Sequence, residues 1–299
     1  MVVLLAGGTG GAKLARGLQD EIGDELTVIA NTGDDVEIYS AYVSPDPDLV
    51  TFWLAGRIDE RGWGLAGDTF HVMDGLRELG EDVWFNLGDR DLALCLRRAR
   101  RLAEGATLSQ TIDEARRALG VPARVLPMSD APVRTHVRTD TGLYAFQEFM
   151  IRERAAGPVR DVLLDGAETA RPAPEALAAI AAARAIVIGP SNPVISIGPI
   201  LALLRDAIRE AAAPVVAVSP LVRGAVLKGP TDAFLVWAGH PLTSEGIAAH
   251  YAGLIDCLVA DERAESLPTL VTDVEMGDDD ARRRVARETL AFAGALSAG

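Results

Sequence analysis

MVVLLAGGTGGAK (residues 1–13) opens the chain with an apolar run of strand length. It breaks into Gly7-Gly8-Thr9-Gly10-Gly11 and passes into a helical pattern near Ala12. Strand, glycine turn and helix in that order leave several backbone N–H groups unpaired at a helix N-terminus, where the dipole favours an anion. A Cβ in such a turn would keep a phosphate away from the backbone, which glycine does not. Gly7, Gly8, Thr9, Gly10 and Gly11 are therefore expected to receive a phosphate or diphosphate group. The competing reading is that these glycines only let strand and helix pack closely. The spacing is not that of a Walker A loop, since Lys13 is followed by Leu14. It fits the dinucleotide fingerprint loosely, so it points to a nucleotide more than to NAD.

Further apolar runs end in polar turns. Leu26–Ala30 leads into Asn31-Thr32-Gly33-Asp34-Asp35, and Val83–Leu87 into Gly88-Asp89-Arg90-Asp91 and a helix expected to expose its arginines. Val121–Leu126 and Val137–Thr139 read as strands, and Ala176–Ala185 as an alanine-rich helix. Ala185–Ile188 ends at Gly189-Pro190-Ser191-Asn192-Pro193, and Val215–Val218 at Ser219-Pro220. Strands alternating with helices predict an α/β fold: a Rossmann-like, doubly wound, mostly parallel sheet with helices on both faces. Ligands of such sheets bind outside the carboxyl ends of the strands where strand order reverses, so these turns are expected to converge there. Residues 1–299 read as one nucleotide-binding domain. Stretches near 40–80 and 127–170 break the alternation and are expected to form a smaller cap over the crevice. Asp278-Asp279-Asp280 is expected to cap the last helix.

Bulk properties narrow the function. With 299 residues, 49% of them hydrophobic, the chain can bury a full core. A formal charge of −14 argues against a nucleic-acid partner. Lys13 and Lys228 are the only lysines; every other basic residue is arginine. No apolar stretch reaches bilayer-spanning length and no signal sequence is evident, so a cytoplasmic protein without membrane attachment is expected. Cys95 and Cys257 read as buried free thiols. His71, His136, His240 and His250 share no metal-ligand spacing.

Several polar groups are candidates for chemistry. Asp46 and Asp48 lie in the proline-stiffened Ser44-Pro45-Asp46-Pro47-Asp48; Asp46 suits a helix cap, Asp48 a Mg²⁺ or substrate contact. Arg90 offers a planar fork of donors for orienting a substrate, against the alternative of a capping Asp and a surface ion pair. Ser191 and Asn192 suit a base, ribose or phosphate, although Pro and Asn also serve simple chain reversal. Asp34 and Asp35 stand where a ribose-binding acid is expected, and would equally suit a helix cap. Trp53 and Trp63 suit stacking on a planar ligand or ordinary core packing.

Taken in order, AGGTGGAKL, NTGDD, SPDPDLVTFWLAG, DERGWGLAGDTF, NLGDRDLA, LPMSD, GPSNPVISIGPIL and VAVSPLVRG resemble the 2-phospho-L-lactate transferase family from Val2 to about Arg263. The resemblance implies transfer of a phospholactyl or phosphoenolpyruvyl group from a lactyl- or enolpyruvyl-diphosphoguanosine donor to the deazaflavin alcohol Fo. GMP is released, Mg²⁺ is required, and the setting is coenzyme F-420 biosynthesis. It implies that Gly7–Gly11 face the diphosphate and that Asn31, Ser191 and Asn192 line the nucleotide side. Asp48 and Arg90 would contact Fo, with Asp48 also a Mg²⁺ ligand, and the protein would be a homodimer. Two departures are Pro47 in place of the usual leucine, and Leu94-Cys95 where members often carry Thr-His. The rival expectations are an NAD(P)-binding Rossmann oxidoreductase and a non-catalytic nucleotide-binding regulator of related fold.

Overall fold

A computed structural model describes residues 1–297. The chain runs β1 (Val2–Ala6), α1 (Gly8–Ile22), β2 (Leu26–Ala30), the hairpin β3 (Val36–Ile38) and β4 (Ala41–Val43), then α2 (Pro45–Leu54), α3 (His71–Glu78), α4 (Asp89–Ala103) and α5 (Leu108–Ala118). It continues through β5 (Arg124–Pro127), β6 (Arg134–Arg138), β7 (Leu143–Ala145), α6 (Phe146–Ile151), β8 (Asp161–Asp165), α7 (Pro174–Ala181) and β9 (Ala185–Ile188). The last part holds α8 (Gly198–Glu210), β10 (Val215–Val218), β11 (Leu221–Val222), β12 (Ala225–Val226), α9 (Thr231–Trp237), α10 (Ser244–His250), β13 (Cys257–Ala260), β14 (Thr269–Val271) and α11 (Asp279–Ser297).

Seven strands form one sheet in the order β14-β13-β10-β9-β1-β2-β5, and every pairing within it is parallel. All five residues of β1 and of β2 are buried, as expected of strands covered on both faces. Side chains alternate across the sheet. Val2, Leu4 and Ala6 join Leu14 and Leu18 of α1, Val50 of α2, Ile112 of α5 and Val285 of α11. Val3 and Leu5 join Ile180 of α7, Leu204 of α8 and Ile247 of α10 on the opposite face. The doubly wound expectation is met. Gly17 makes the α1–α11 contact close, because a Cβ there would collide with the carbonyl of Arg282.

Strand order reverses between β1 and β9: β2 and β5 extend one way from β1, and β9, β10, β13 and β14 the other. The glycine turn and Gly189–Pro193 leave adjacent strands at that point.

Smaller units interrupt the winding. The β3–β4 hairpin packs with α3 and α4 around Val43, Met73, Leu87, Leu92 and Cys95. A separate sheet, β7-β6-β8, is antiparallel and shares a cluster with Phe149 and Phe234. The Val137–Thr139 run therefore belongs to an accessory sheet. Val83–Leu87 is not a strand: Val83, Phe85 and Leu87 fill the hairpin cluster from an irregular segment, with Phe85 N–H bonded to Tyr39 Oη. Asp278 accepts from Ala281 N–H at 2.8 Å, capping α11 as expected. No helix among the described residues is long and apolar enough to cross a membrane.

Candidate active site

The glycine turn combines one residue of positive φ with three close contacts. Gly8 adopts φ +62°, with open space where a Cβ would stand. Gly7, Gly10 and Gly11 are contact glycines: a Cβ would lie 2.7 Å from Ser196 Cβ at Gly7, would collide with the Pro190 carbonyl at Gly10, and would lie 2.6 Å from Ser191 Oγ at Gly11. Close packing on the Gly189–Pro193 turn thus accounts for Gly10 and Gly11, and packing on Ser196 and Asp46 for Gly7.

Several expected ligand contacts are turned inward. Ser191 Oγ accepts from Gly7 N–H at 3.2 Å, and Asp46 Oδ1 accepts from Gly8 N–H at 2.6 Å. Asp46 lies in the first turn of α2, but its carboxylate caps α1 rather than its own helix. Asn31, fully buried, donates through Nδ2 to Asp46 Oδ2 at 3.0 Å and accepts from Gly33 N–H at 2.8 Å. Asn192 Oδ1 accepts from Val194 N–H at 3.0 Å and from Ile195 N–H, which leaves its buried Nδ2 without a partner. With Gly8 engaged, Thr9 and Gly10 hold the donors that a helix start leaves open.

Asp34 and Asp35 are buried and cap no helix. Burial, then the neighbouring Asp46, pushes the Asp34 carboxyl well above its ordinary range, and its Oδ1 has no hydrogen-bond partner. Burial raises Asp35 to about 7, although Ser44 Oγ donates to it at 2.8 Å and Tyr42 Oη at 3.0 Å. Burial likewise raises Asp46 to about 6 against the bonds from Gly8 and Asn31. A buried carboxylate with an unused oxygen costs free energy unless something else binds it.

On the α2–α4 side the structure supplies a residue the sequence reading missed. Arg98 was expected on the exposed face of its helix; its side chain is only 1% exposed and clasps Asp48 with both nitrogens, Nη1 to Oδ2 at 2.9 Å and Nη2 to Oδ1. Arg98 Nη1 also donates to the Tyr42 carbonyl at 3.1 Å. The available signal was its place three residues after Cys95 and six after Leu92, on the apolar stripe of α4. Asp91 and Cys95 bring ligand atoms within 4.8 Å of Asp48. Burial, followed by the charge of Asp48, lifts Asp91 to about 7.

Arg90 is exposed at the N-terminus of α4, next to Asp91. Its neighbours cap reciprocally: Asp68 accepts from Arg90 N–H at 2.9 Å, while Asp89 accepts from Val72 N–H at 3.0 Å at the start of α3. Asp89 is thus a cap, whereas the guanidinium of Arg90 reaches only the Ala66 carbonyl, at 3.5 Å, and meets no carboxylate among the described residues. Gly8 of α1, Asp46 of α2 and Asn31 are joined by hydrogen bonds, and Asp48, further along α2, lies beside Asp91, the neighbour of Arg90 on α4. Trp53 is a core residue, its Nε1 donating to the Gly62 carbonyl at 3.2 Å; Trp63 is exposed with Arg61 over its ring.

Comparison with known proteins follows the same lines. A family model described as 2-phospho-L-lactate transferase CofD matches residues 2–288. A protein of Kitasatospora aureofaciens named phosphoenolpyruvate transferase is 43% identical, over 95% of this chain and 97% of its own. One of Methanopyrus kandleri named 2-phospho-L-lactate transferase is 40% identical, over 97% and 96%. Among solved structures, a UPF0052-family protein of Bacillus halodurans shares the fold, with a TM-score of 0.60 at 18% identity over 97% of this chain and 98% of that one. The chain is a transferase that belongs to the CofD family of 2-phospho-L-lactate transferases.

Proposed function

We propose that this protein transfers a 2-phospho-L-lactyl or phosphoenolpyruvyl group from a guanosine diphosphate-linked donor to the ribityl hydroxyl of Fo. The products are GMP and coenzyme F-420-0 or its dehydro form. The observation that carries this reading is the meeting, at the β1/β9 reversal, of a helix start with open donors and a second, carboxylate-lined flank ending in an exposed arginine. A dehydrogenase has no evident use for that second flank, and neither has a regulator that only senses nucleotide.

The ribityl oxygen attacks the phosphorus that bears the lactyl or enolpyruvyl oxygen; the bond from that phosphorus to the GMP oxygen breaks, and the hydroxyl proton is lost. Such transfers depend chiefly on alignment and charge neutralisation. The N–H groups of Thr9 and Gly10 and the spare Nδ2 of Asn192 hold the donor's phosphates. Arg90 positions Fo, and Asp48, fixed in orientation by Arg98, directs the attacking hydroxyl. Asp91, titrating at about 7 beside it, suits the role of proton acceptor.

Magnesium suits an all-oxygen donor set completed by phosphates and water. Asp34, with its unpartnered Oδ1, fits that set and would hold it, whereas Asp46 already accepts a hydrogen bond on each oxygen. Asp48, engaged on both oxygens by Arg98, fits the role less well, and Cys95 is too soft a ligand. When bound, the metal would neutralise diphosphate charge.

Incubation with Fo, Mg²⁺ and each donor in turn, followed by product mass, tests the reading and decides between lactyl and enolpyruvyl donors. Light scattering tests the homodimer that accompanies it. Absence of any transferred product with both donors would refute the assignment.

A further inference from the structure

Lys13 and Lys228 lie close enough in the fold for their charges to interact, although the chain uses arginine at every other lysine-or-arginine position. Lys13 lies on α1 one turn after Thr9, and helical side chains lean towards the N-terminus of their helix. Lys228 arrives from the segment after β12 and donates from Nζ to the Arg61 carbonyl at 3.0 Å. A Cβ placed on Gly62 would stand 3.8 Å from Thr9 Cγ2 and 3.9 Å from Lys228 Nζ, so Lys228 borders the first turn of α1. Arg282 approaches the same place from α11, its guanidinium 5.1 Å from the centre of the Trp53 ring.

We infer that Lys13 and Lys228 form the cationic half of the subsite for the donor's diphosphate, beside the open N–H donors at the start of α1. This rests on the guanosine diphosphate-linked donor proposed above, and it adds residues from outside the glycine turn to that site.

The electrostatics support the geometry. Burial, then Lys228 and Arg282, lowers the Lys13 ammonium below its ordinary value, with Glu275 acting in the opposite sense. Lys13 makes no hydrogen bond or ion pair among the described residues, and Lys228 makes no ion pair. Arg282 is paired with Asp279, but the two lysines have no such partner among the described residues, and their mutual repulsion is relieved by an arriving phosphoanion. An ammonium has three donors, so Lys228 can keep the Arg61 carbonyl and still bind phosphate. Compact ammonium charges also suit phosphate as point charges.

The test is calorimetric titration of the full chain with GDP and with guanosine, at two salt concentrations, for wild type, Lys13→Met, Lys228→Met and Lys228→Arg. Methionine keeps the length of the stem at one half-buried and one exposed position, and thermal denaturation checks that folding is retained. Each methionine variant is expected to weaken GDP at least tenfold, to leave guanosine within twofold, and to bind GDP with less dependence on salt. Lys228→Arg is expected to recover most of the affinity. The inference is overturned if wild type binds GDP and either methionine variant matches it within twofold, or if guanosine weakens as much as GDP. Those outcomes leave the transferase reading standing. A wild type that neither binds GDP nor yields transferred product overturns that reading, and this inference with it.

Discussion

The two flanks of the site use their polar residues in opposite ways. On the β1/β9 flank, Gly7, Asn31, Ser191 and Asn192 spend most of their hydrogen bonds on one another and on neighbouring backbone, knitting separate loops together. On the α2–α4 flank one buried ion pair, Asp48–Arg98, fixes the framework, and Arg90 is left exposed. A residue with the look of a ligand contact can therefore be the scaffold that holds one. The first flank is rigid through many shared bonds, the second through a single concentrated one, and the two should break differently.

The largest effect is expected from Arg98→Met, which leaves Asp48 buried without its partner. Removing one member of a buried pair costs about 3–5 kcal/mol, seen as a lowered urea midpoint with little change in slope. Asp48→Asn at saturating Mg²⁺ should reduce turnover by roughly 100-fold, the scale at which misalignment of a reacting group is felt. Near-full turnover would remove Asp48 from the reaction. On the knitted flank, Gly10→Ala drives a methyl group into the Pro190 carbonyl. Overpacking of that kind costs about 1–3 kcal/mol, and a thermal midpoint equal to wild type would show that α1 moves away freely.

Arg90→Ala should weaken Fo about tenfold, near 1.4 kcal/mol, while GDP binds as before; equal loss of both would erase the division between the flanks. The smallest effect is a pH dependence. Asp91 titrates at about 7 in the fold, above its ordinary value, so the folded state holds more protons than the unfolded chain between about pH 4 and 7. Its contribution to stability is present at the acid end of that window and is lost as pH rises. His250, lowered to about 4 first by burial and then by His240, acts in reverse: stability is lost as pH falls from about 6.5. Urea midpoints at pH 5, 6 and 7 should decline less steeply with rising pH in Asp91→Asn than in wild type.

Much of this was legible in the sequence because it follows from local rules. The glycine turn, the buried strands Leu26–Ala30 and Ala185–Ile188, and the cap at Asp278 depend on near neighbours. Val83–Leu87 misled because an apolar run of strand length reads alike whether it pairs with a strand or plugs a small cluster. Arg98 looked like one more surface arginine on an arginine-rich helix. Nothing within several turns of it reveals the carboxylate fifty positions upstream that it meets.

By itself the sequence determined the α/β winding, the anion-favouring helix start and the family, since backbone geometry, side-chain periodicity and ordered blocks are written along the chain. Only the tertiary structure decided which polar groups are spent on scaffold and which carboxyls burial raises above their ordinary range. Burial and charge pairing arise between segments far apart in the chain, and their energies exist only once those segments meet.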